Sequence, residues 1–423
     1  VRESTVNNKR IHPAILIVIG LLFLWGIWGV IQRFTQGHAL ANYGSYVPWG
    51  LWVSGYIYFV GLSAGAFYLS SMVYLFKIEK LRPIARPALF ISVITLVIAL
   101  ICIWFDLGQM WRFWEIFVRP NFTSLMTWMV WLYTLYAILL FTELWLEMRT
   151  DLSVMAQRSG PLARLYRLLS LGWSVPTDPD AIERARADSN RWLRILSGIG
   201  IPLAVAFHGG VGALFAGLMA RPYWHTALYP IFFLTWALVS GGALLLAVVA
   251  FTDIGDRDGA DGVLALLAKT TMGLLLFDLL LEWAEISIPS WYRVGEGYDI
   301  LKVVLFGDYW YVFWIFHLLL GAAIPIWLLL TRPTSRLATG IAGFLVAATF
   351  MAVRLNLVIP GQITPQLEGI QDAYVDSRLL FSYVPSMFEW SVIAFAVALG
   401  ATLYLIGRRI LPLTGLPHAK ETH

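Results

Sequence analysis

Ten stretches of this chain run for about 20 residues or more with few charged side chains, and each is long enough to cross the roughly 30 Å hydrocarbon core of a bilayer as a helix. They fall near residues 11–31, 50–76, 88–108, 122–147, 193–219, 226–251, 263–287, 309–330, 338–360 and 385–407. In lipid a helix satisfies its backbone hydrogen bonds within one segment, so the pattern predicts an all-α integral membrane protein with both termini on one side. The first stretch is too long for a signal-peptide core and lacks a small-residue cleavage site, so it reads as a retained helix. The main interruption is 148–192, which contains the charged, Pro-containing run SVPTDPDAIERARADSN. It is expected to be a surface loop with a short helix near 179–189. Three loops on the other side, 32–48, 288–308 and 361–384, are long enough either to dock a partner or simply to connect spans.

Composition agrees with the pattern: 59% of residues are hydrophobic and 13% charged, with a mean hydropathy of +0.71, far from the range of soluble domains. The 30 Lys and Arg orient the spans, because basic residues concentrate in cytoplasmic loops. One set of loops holds only Arg33, Arg112, Arg119, Arg221, Arg293, Lys302 and Arg378, and Arg354 lies inside a span. All the other basic residues fall in the termini and the remaining loops, so both termini are expected in the cytoplasm of a bacterial or archaeal cell, with the protein in its inner membrane. The net charge of +4 is then an orientation signal, and nothing points to nucleic acid. The single cysteine, Cys102, excludes disulfides and any thiolate-ligated zinc site or iron–sulfur cluster held by this protein alone.

Ionisable side chains within spans are costly and mark functional candidates. Asp106 closes the third span in the run WFDLGQMWRFW, which also carries Gln109 and Arg112; Asn121, Thr123 and Ser124 lie at the matching end of the fourth span. His208 in the fifth span, with Tyr56 and Trp52 in the outer half of the second, completes a set able to share one external-side pocket. A quinone head group needs hydrogen-bond donors at its two carbonyls, proton acceptors when the quinol is oxidised, and an apolar corridor for its tail. Asp and His exchange protons, and Tyr and Asn donate hydrogen bonds. The competing readings are a bundle histidine satisfied by its neighbours and an aspartate that caps a helix; many of the 20 tryptophans serve interfaces and packing.

Asp278, Glu282 and Glu285 follow at i, i+4 and i+7 on one helical face. With Arg354, Glu389 and, towards the cytoplasm, Glu143, they form either a buried ion-pair network or a protonatable relay. The same acids would serve a secondary transporter, the reading from a different class. His208 and His317 lie at similar depth, which leaves a bis-His haem b quinol cytochrome as a third. A faint repeat sets Leu62-Ser63-Ala64-Gly65-Ala66 beside Leu238-Val239-Ser240-Gly241-Gly242, and Phe105-Asp106-Leu107 beside Phe277-Asp278-Leu279. The even number of intervening spans relates the copies by an axis along the membrane normal.

At WFDLGQMWRFWEIFVRPNFTSL, HGGVGALFAGLMARPYWHT, VRLNLVIPG and SYVPSMFEW the sequence resembles the NrfD/PsrC family of quinone-reactive membrane subunits, in a ten-helix layout like the HybB and DsrP branch and the related alternative complex III subunits. The resemblance implies two four-helix bundles with flanking helices: an N-terminal helix and external loop over 1–48, a first bundle over 49–219 carrying the insertion 148–192, a second over 220–360, and a loop, last helix and tail over 361–423. It also implies a menaquinone or ubiquinone site on the periplasmic side around Asp106 and His208, with no haem, iron–sulfur cluster or metal in this protein. The implied partners are a periplasmic ferredoxin-like iron–sulfur subunit and a catalytic subunit such as a molybdenum enzyme, a nickel–iron hydrogenase or a cytochrome module. The sequence departs from shorter polysulfide-reductase members ahead of Val60-Gly61-Leu62-Ser63-Ala64-Gly65: they carry His and Asn where it has Tyr56 and Trp52.

Overall fold

A computed structural model of the protein describes residues 12–414 except 159, 253, 255–256, 366, 368, 375 and 377. His418, His423 and the terminal basic residues Arg2, Lys9, Arg10 and Lys420 lie outside the described residues. Among the described residues, ten helices are long and apolar enough to span a bilayer: α1 (Pro13–Gln36), α2 (Leu51–Leu75), α3 (Arg82–Asp106), α4 (Leu125–Gln157), α5 (Pro179–Ala216), α6 (Tyr229–Phe251), α7 (Arg257–Tyr292), α8 (Val312–Thr331), α9 (Arg336–Val358) and α10 (Met387–Ile410). The first part of α8, Val312–Ala323, is wound as a π-helix. The fold is that of an all-α, multi-pass membrane protein.

The expected surface loop at 148–192 is corrected. α4 runs on to Gln157, and the short helix expected at 179–189 is the first turns of α5, which begins at Pro179 behind the N-cap Asp178, whose carboxylate accepts the Ala181 N–H at 3.1 Å. The charges that break the hydrophobic pattern there pair between helices. Arg149 reaches Asp188 at 2.6 Å and Arg186 reaches Asp151 at 2.8 Å, while Arg86 on α3 bridges Glu147 at 2.9 Å and Asp151 at 2.5 Å. Paired in this way, charged residues hold α4 and α5 together past the end of the apolar run.

α2 and α6 form the centre. α2 packs on α3, α5 and α6, and α6 on α5, α7 and α9, while α1 lies at the edge against α10. Small residues set the central crossing: a Cβ on Gly65 would stand 2.0 Å from the Ala237 carbonyl oxygen, and one on Gly241 2.5 Å from the Gly65 Cα. Without hydrophobic drive between helices in lipid, such close backbone approach supplies the packing. Gly65 and Gly241 are the paired positions of the sequence repeat, so equivalent residues of the two copies meet face to face.

Candidate functional site

A cavity of about 1040 Å³ opens at one end of the spans among the C-terminal part of α3 and the facing parts of α2, α4 and α5. Its walls are apolar, with Ile57, Ile101, Met129, Val130 and Phe215 prominent, and its polar groups are few: Tyr56, Asp106, Gln109, Arg112, Tyr133 and Thr134. Asp106 is the last residue of α3, so the helix end carries its carboxylate to the rim. Its Oδ1 is buried with no hydrogen-bond partner, an arrangement that leaves an acceptor free for an incoming donor. Tyr56 and Tyr133 stack with centroids 6.1 Å apart and planes 25° apart.

Arg33 of α1 fixes this helix end. Its Nε donates to the Phe105 carbonyl and its Nη2 to the Leu107 carbonyl, both at 2.7 Å, so the guanidinium holds the carbonyls of the residues before and after Asp106. The same Nη2 lies 2.9 Å from His38 Nε2. Since an arginine only donates, Nε2 accepts, and His38 carries its proton on Nδ1, towards the Tyr43 hydroxyl. Burial, then the nearby Arg33 charge, holds the His38 pKa below its ordinary value, and burial raises that of Tyr43. Sequence reasoning counted Arg33 as a loop charge. Gly26, Gly29 and Arg33 are the buried residues of an otherwise lipid-facing α1, and that spacing on one face was the available signal. Tyr133 was also missed; it follows Met129 by one turn of α4 and so shares its face.

Of the expected pocket residues, the structure brings together Asp106, Tyr56, Gln109 and Arg112, the last already in an exposed bidentate pair with Glu115 at 2.6 and 2.8 Å. Three others stand elsewhere. His208 turns from the cavity towards α2, and because a carbonyl only accepts, its Nε2 donates to the Val60 oxygen at 3.2 Å; Val211, Leu214 and Phe215 are the α5 residues that line the cavity. Asn121 is exposed and closes a turn, its Oδ1 accepting from the Thr123 backbone and hydroxyl at 3.1 and 2.7 Å. Trp52 is fully buried against Phe388, with its indole N–H on the Glu389 carbonyl at 3.0 Å, so it ties α2 to α10.

The acidic residues expected to form one relay separate into four places. Asp278 is fully buried beside the charges of Glu282 and Arg354, and the Arg354 guanidinium lies over the rings of Phe233 and Trp236 at 5.1 and 4.7 Å. Glu282 bonds His317 Nε2 at 2.8 Å, so that histidine, like His208, has its Nε2 engaged within the protein. Glu285 points to Thr226 at 3.5 Å. Glu143 is buried on α4 next to Ser197 at 3.4 Å. Glu389 is a helix cap: with Ser386 it forms a capping box at the start of α10, and its carboxylate also accepts the Asn42 N–H at 3.0 Å and the Tyr383 hydroxyl at 2.5 Å. With three donors, from Asn42, Tyr383 and the Ser386 N–H, its carboxylate is bound into structure.

The family model described as "Polysulphide reductase, NrfD" matches residues 40–366. The sequence is 36% identical to a selenate reductase subunit of Mesobacillus selenatarsenatis, over 98% of its own length and 96% of that protein's. It is 27% identical to the Hdr-like menaquinol oxidoreductase integral membrane subunit of Archaeoglobus fulgidus, over 95% and 93%. To a polysulfide reductase polypeptide of Wolinella succinogenes it is 23% identical, over 79% and 98%.

Proposed function

The chain belongs to the NrfD polysulphide reductase family, and from that premise we propose that it is the membrane anchor and quinone-reactive subunit of a respiratory oxidoreductase complex. The observation that carries the proposal is the cavity of about 1040 Å³ with one unpartnered buried carboxylate oxygen at its rim. Its size and apolar walls suit a quinone head group and the first part of an isoprenoid tail, and α3 and α4 contribute wall residues that also reach the lipid-facing surface, such as Leu100 and Met126. Asp106 takes a proton from the quinol as it is oxidised, or gives one to the quinone as it is reduced; the stacked Tyr56 and Tyr133 line the same cavity. Menaquinone is the preferred quinone, since relatives are named menaquinol oxidoreductase and menaquinone reductase subunits.

Electrons pass between the quinone and an iron–sulfur subunit docked over the cavity mouth, beyond which a catalytic subunit acts on the terminal substrate. The mouth is assigned to the periplasmic side and both termini to the cytoplasm. The protein divides into two four-helix units, α2–α5 and α6–α9, flanked by α1 and α10; the Gly65–Gly241 contact supports this division. Asp278, with Glu282 and Arg354 near it, is assigned to proton transfer within the second unit.

The test is quinol oxidation by the purified complex with Asp106→Asn. The amide keeps shape but holds no exchangeable charge, so quinol-dependent turnover should fall by at least about 10²-fold, the range for loss of a general base, while the variant still assembles. A variant that assembles and retains full turnover would remove Asp106 from the reaction; a protein that purifies without any iron–sulfur subunit would overturn the reading as a whole.

A further inference from the structure

At the end of the spans opposite the cavity, the segment between α4 and α5 turns back towards the bilayer. The short helix Ala163–Leu169 is fixed there by Tyr166, whose hydroxyl donates to the Ile410 carbonyl at the end of α10 at 3.1 Å. Gln157 and Ser153 of α4 hold the Val175 backbone at 2.7 and 2.8 Å. α10 has 24 residues, about 36 Å at 1.5 Å per residue, so its last turn lies near a membrane boundary and the short helix sits at that level.

Tyr166 and Ser170 face the protein, whereas Arg164, Arg167, Leu168 and Leu171 face outwards. The helix closes with two bonds, Gly172 N–H to the Arg167 carbonyl at 3.1 Å and Leu171 N–H to the Leu168 carbonyl at 2.9 Å. In this closure the residue after the cap takes the left-handed conformation and is usually glycine. Here it is Leu171, with φ at +54°, a region that side-chain-bearing residues seldom adopt. The strained backbone leaves Leu171 75% exposed next to Leu168 at 70%, and water is a poor environment for that pair. A pocket of about 430 Å³ is bounded by these two leucines, Gly172, Arg164 and Arg167. The nearby Arg86, Arg149 and Arg186 are paired with carboxylates, whereas neither Arg164 nor Arg167 has such a partner among the described residues.

We propose that this pocket binds an anionic phospholipid of the adjoining leaflet. The phosphate lies between Arg164 and Arg167, and the acyl chains cover Leu168 and Leu171. Basic groups at a membrane surface attract acidic lipids, and the apolar half of the pocket distinguishes a lipid from a free anion. The proposal is independent of the quinone site.

Native mass spectrometry of the full-length protein, with its co-purifying subunits, released from nanodiscs of mixed phosphatidylglycerol and phosphatidylcholine, provides the test. Phosphatidylglycerol should be retained selectively. The double variant R164Q/R167Q should lower that retention about 25-fold, from roughly fivefold for each basic residue lost near an anionic surface. Leu171→Gly separates binding from folding: it relaxes the backbone and keeps or raises the thermal midpoint, yet should still weaken lipid retention. Unchanged retention in both variants would overturn the proposal. Displacement of the lipid by excess inorganic phosphate would overturn it too, by assigning the arginines to a free anion.

Discussion

Replacing Arg33 by Gln tests whether the geometry of Asp106 is imposed from a neighbouring helix. The guanidinium makes two charge-assisted bonds of 2.7 Å to the carbonyls of Phe105 and Leu107, each worth about 1.5–3 kcal/mol. Both carbonyls are at a helix end beside a cavity, where water can replace part of what is lost, so about half of the gross value, roughly 1.5–3 kcal/mol, is expected to be felt. Expressed as misplacement of the Asp106 carboxylate, this predicts a fall of roughly 10- to 100-fold in kcat/KM for quinol, at about 1.4 kcal/mol per factor of ten. Lysine is a point charge without the planar fork and can serve one carbonyl, so Arg33→Lys should fall between the parent and Arg33→Gln. The assay is steady-state quinol oxidation by the intact complex, with thermal unfolding measured in parallel. If Arg33→Gln kept kcat/KM within twofold while Asp106→Asn lost activity, the positioning argument would fail and the α3 terminus would be held by other contacts.

Other consequences are open to measurement. Gly65→Ala places a methyl 2.0 Å from the Ala237 oxygen and should cost about 1–3 kcal/mol or more, seen as a lower thermal midpoint or lost assembly; Gly209→Ala, whose added carbon meets nothing within 4 Å, should be neutral or slightly stabilising. His38 has a folded pKa below its ordinary 6.5, so the stability owed to its neutral form is complete above about 6.5 and is lost as pH falls through the lower folded value. Acidification from about pH 7.5 to 5 should therefore lower the midpoint of the parent more than that of His38→Gln, and parallel curves would refute the assignment. Asp278→Asn should leave quinol oxidation in detergent largely intact and reduce proton movement in proteoliposomes; equal proton movement would detach Asp278 from transfer.

The ten spans were legible because each is an apolar run of membrane thickness, a one-dimensional signal. Their ends were less so. α4 and α5 continue beyond the hydrophobic pattern because Arg149, Asp151, Arg186 and Asp188 find partners across the helix pair, and pairing between distant segments is invisible along a linear sequence. Asp106 was legible as a charge at the end of a span. His208 was not placed correctly, since an apolar helix gives no sign of which face meets a neighbour and which meets a cavity; a few residues separate it from Val211, which does line the cavity. Glu389 carried a readable signal, the Ser386 to Glu389 spacing of a capping box, and that local chemistry explains the residue better than a relay does. Arg33 depended on α1 lying against the end of α3, a contact between residues about 70 positions apart.

The placement of the cavity at one end of the spans has an electrical meaning. A quinol oxidised there by a partner docked over the same mouth would leave its protons and its electrons on one side of the membrane, so no charge would traverse the low-dielectric core. Such a turnover neither builds nor dissipates a transmembrane voltage. Moving one charge across 100 mV involves about 2.3 kcal/mol, and any such work would have to run through other groups, such as the fully buried Asp278 in α7. The voltage sensitivity of turnover in sealed vesicles would therefore report on groups away from the cavity.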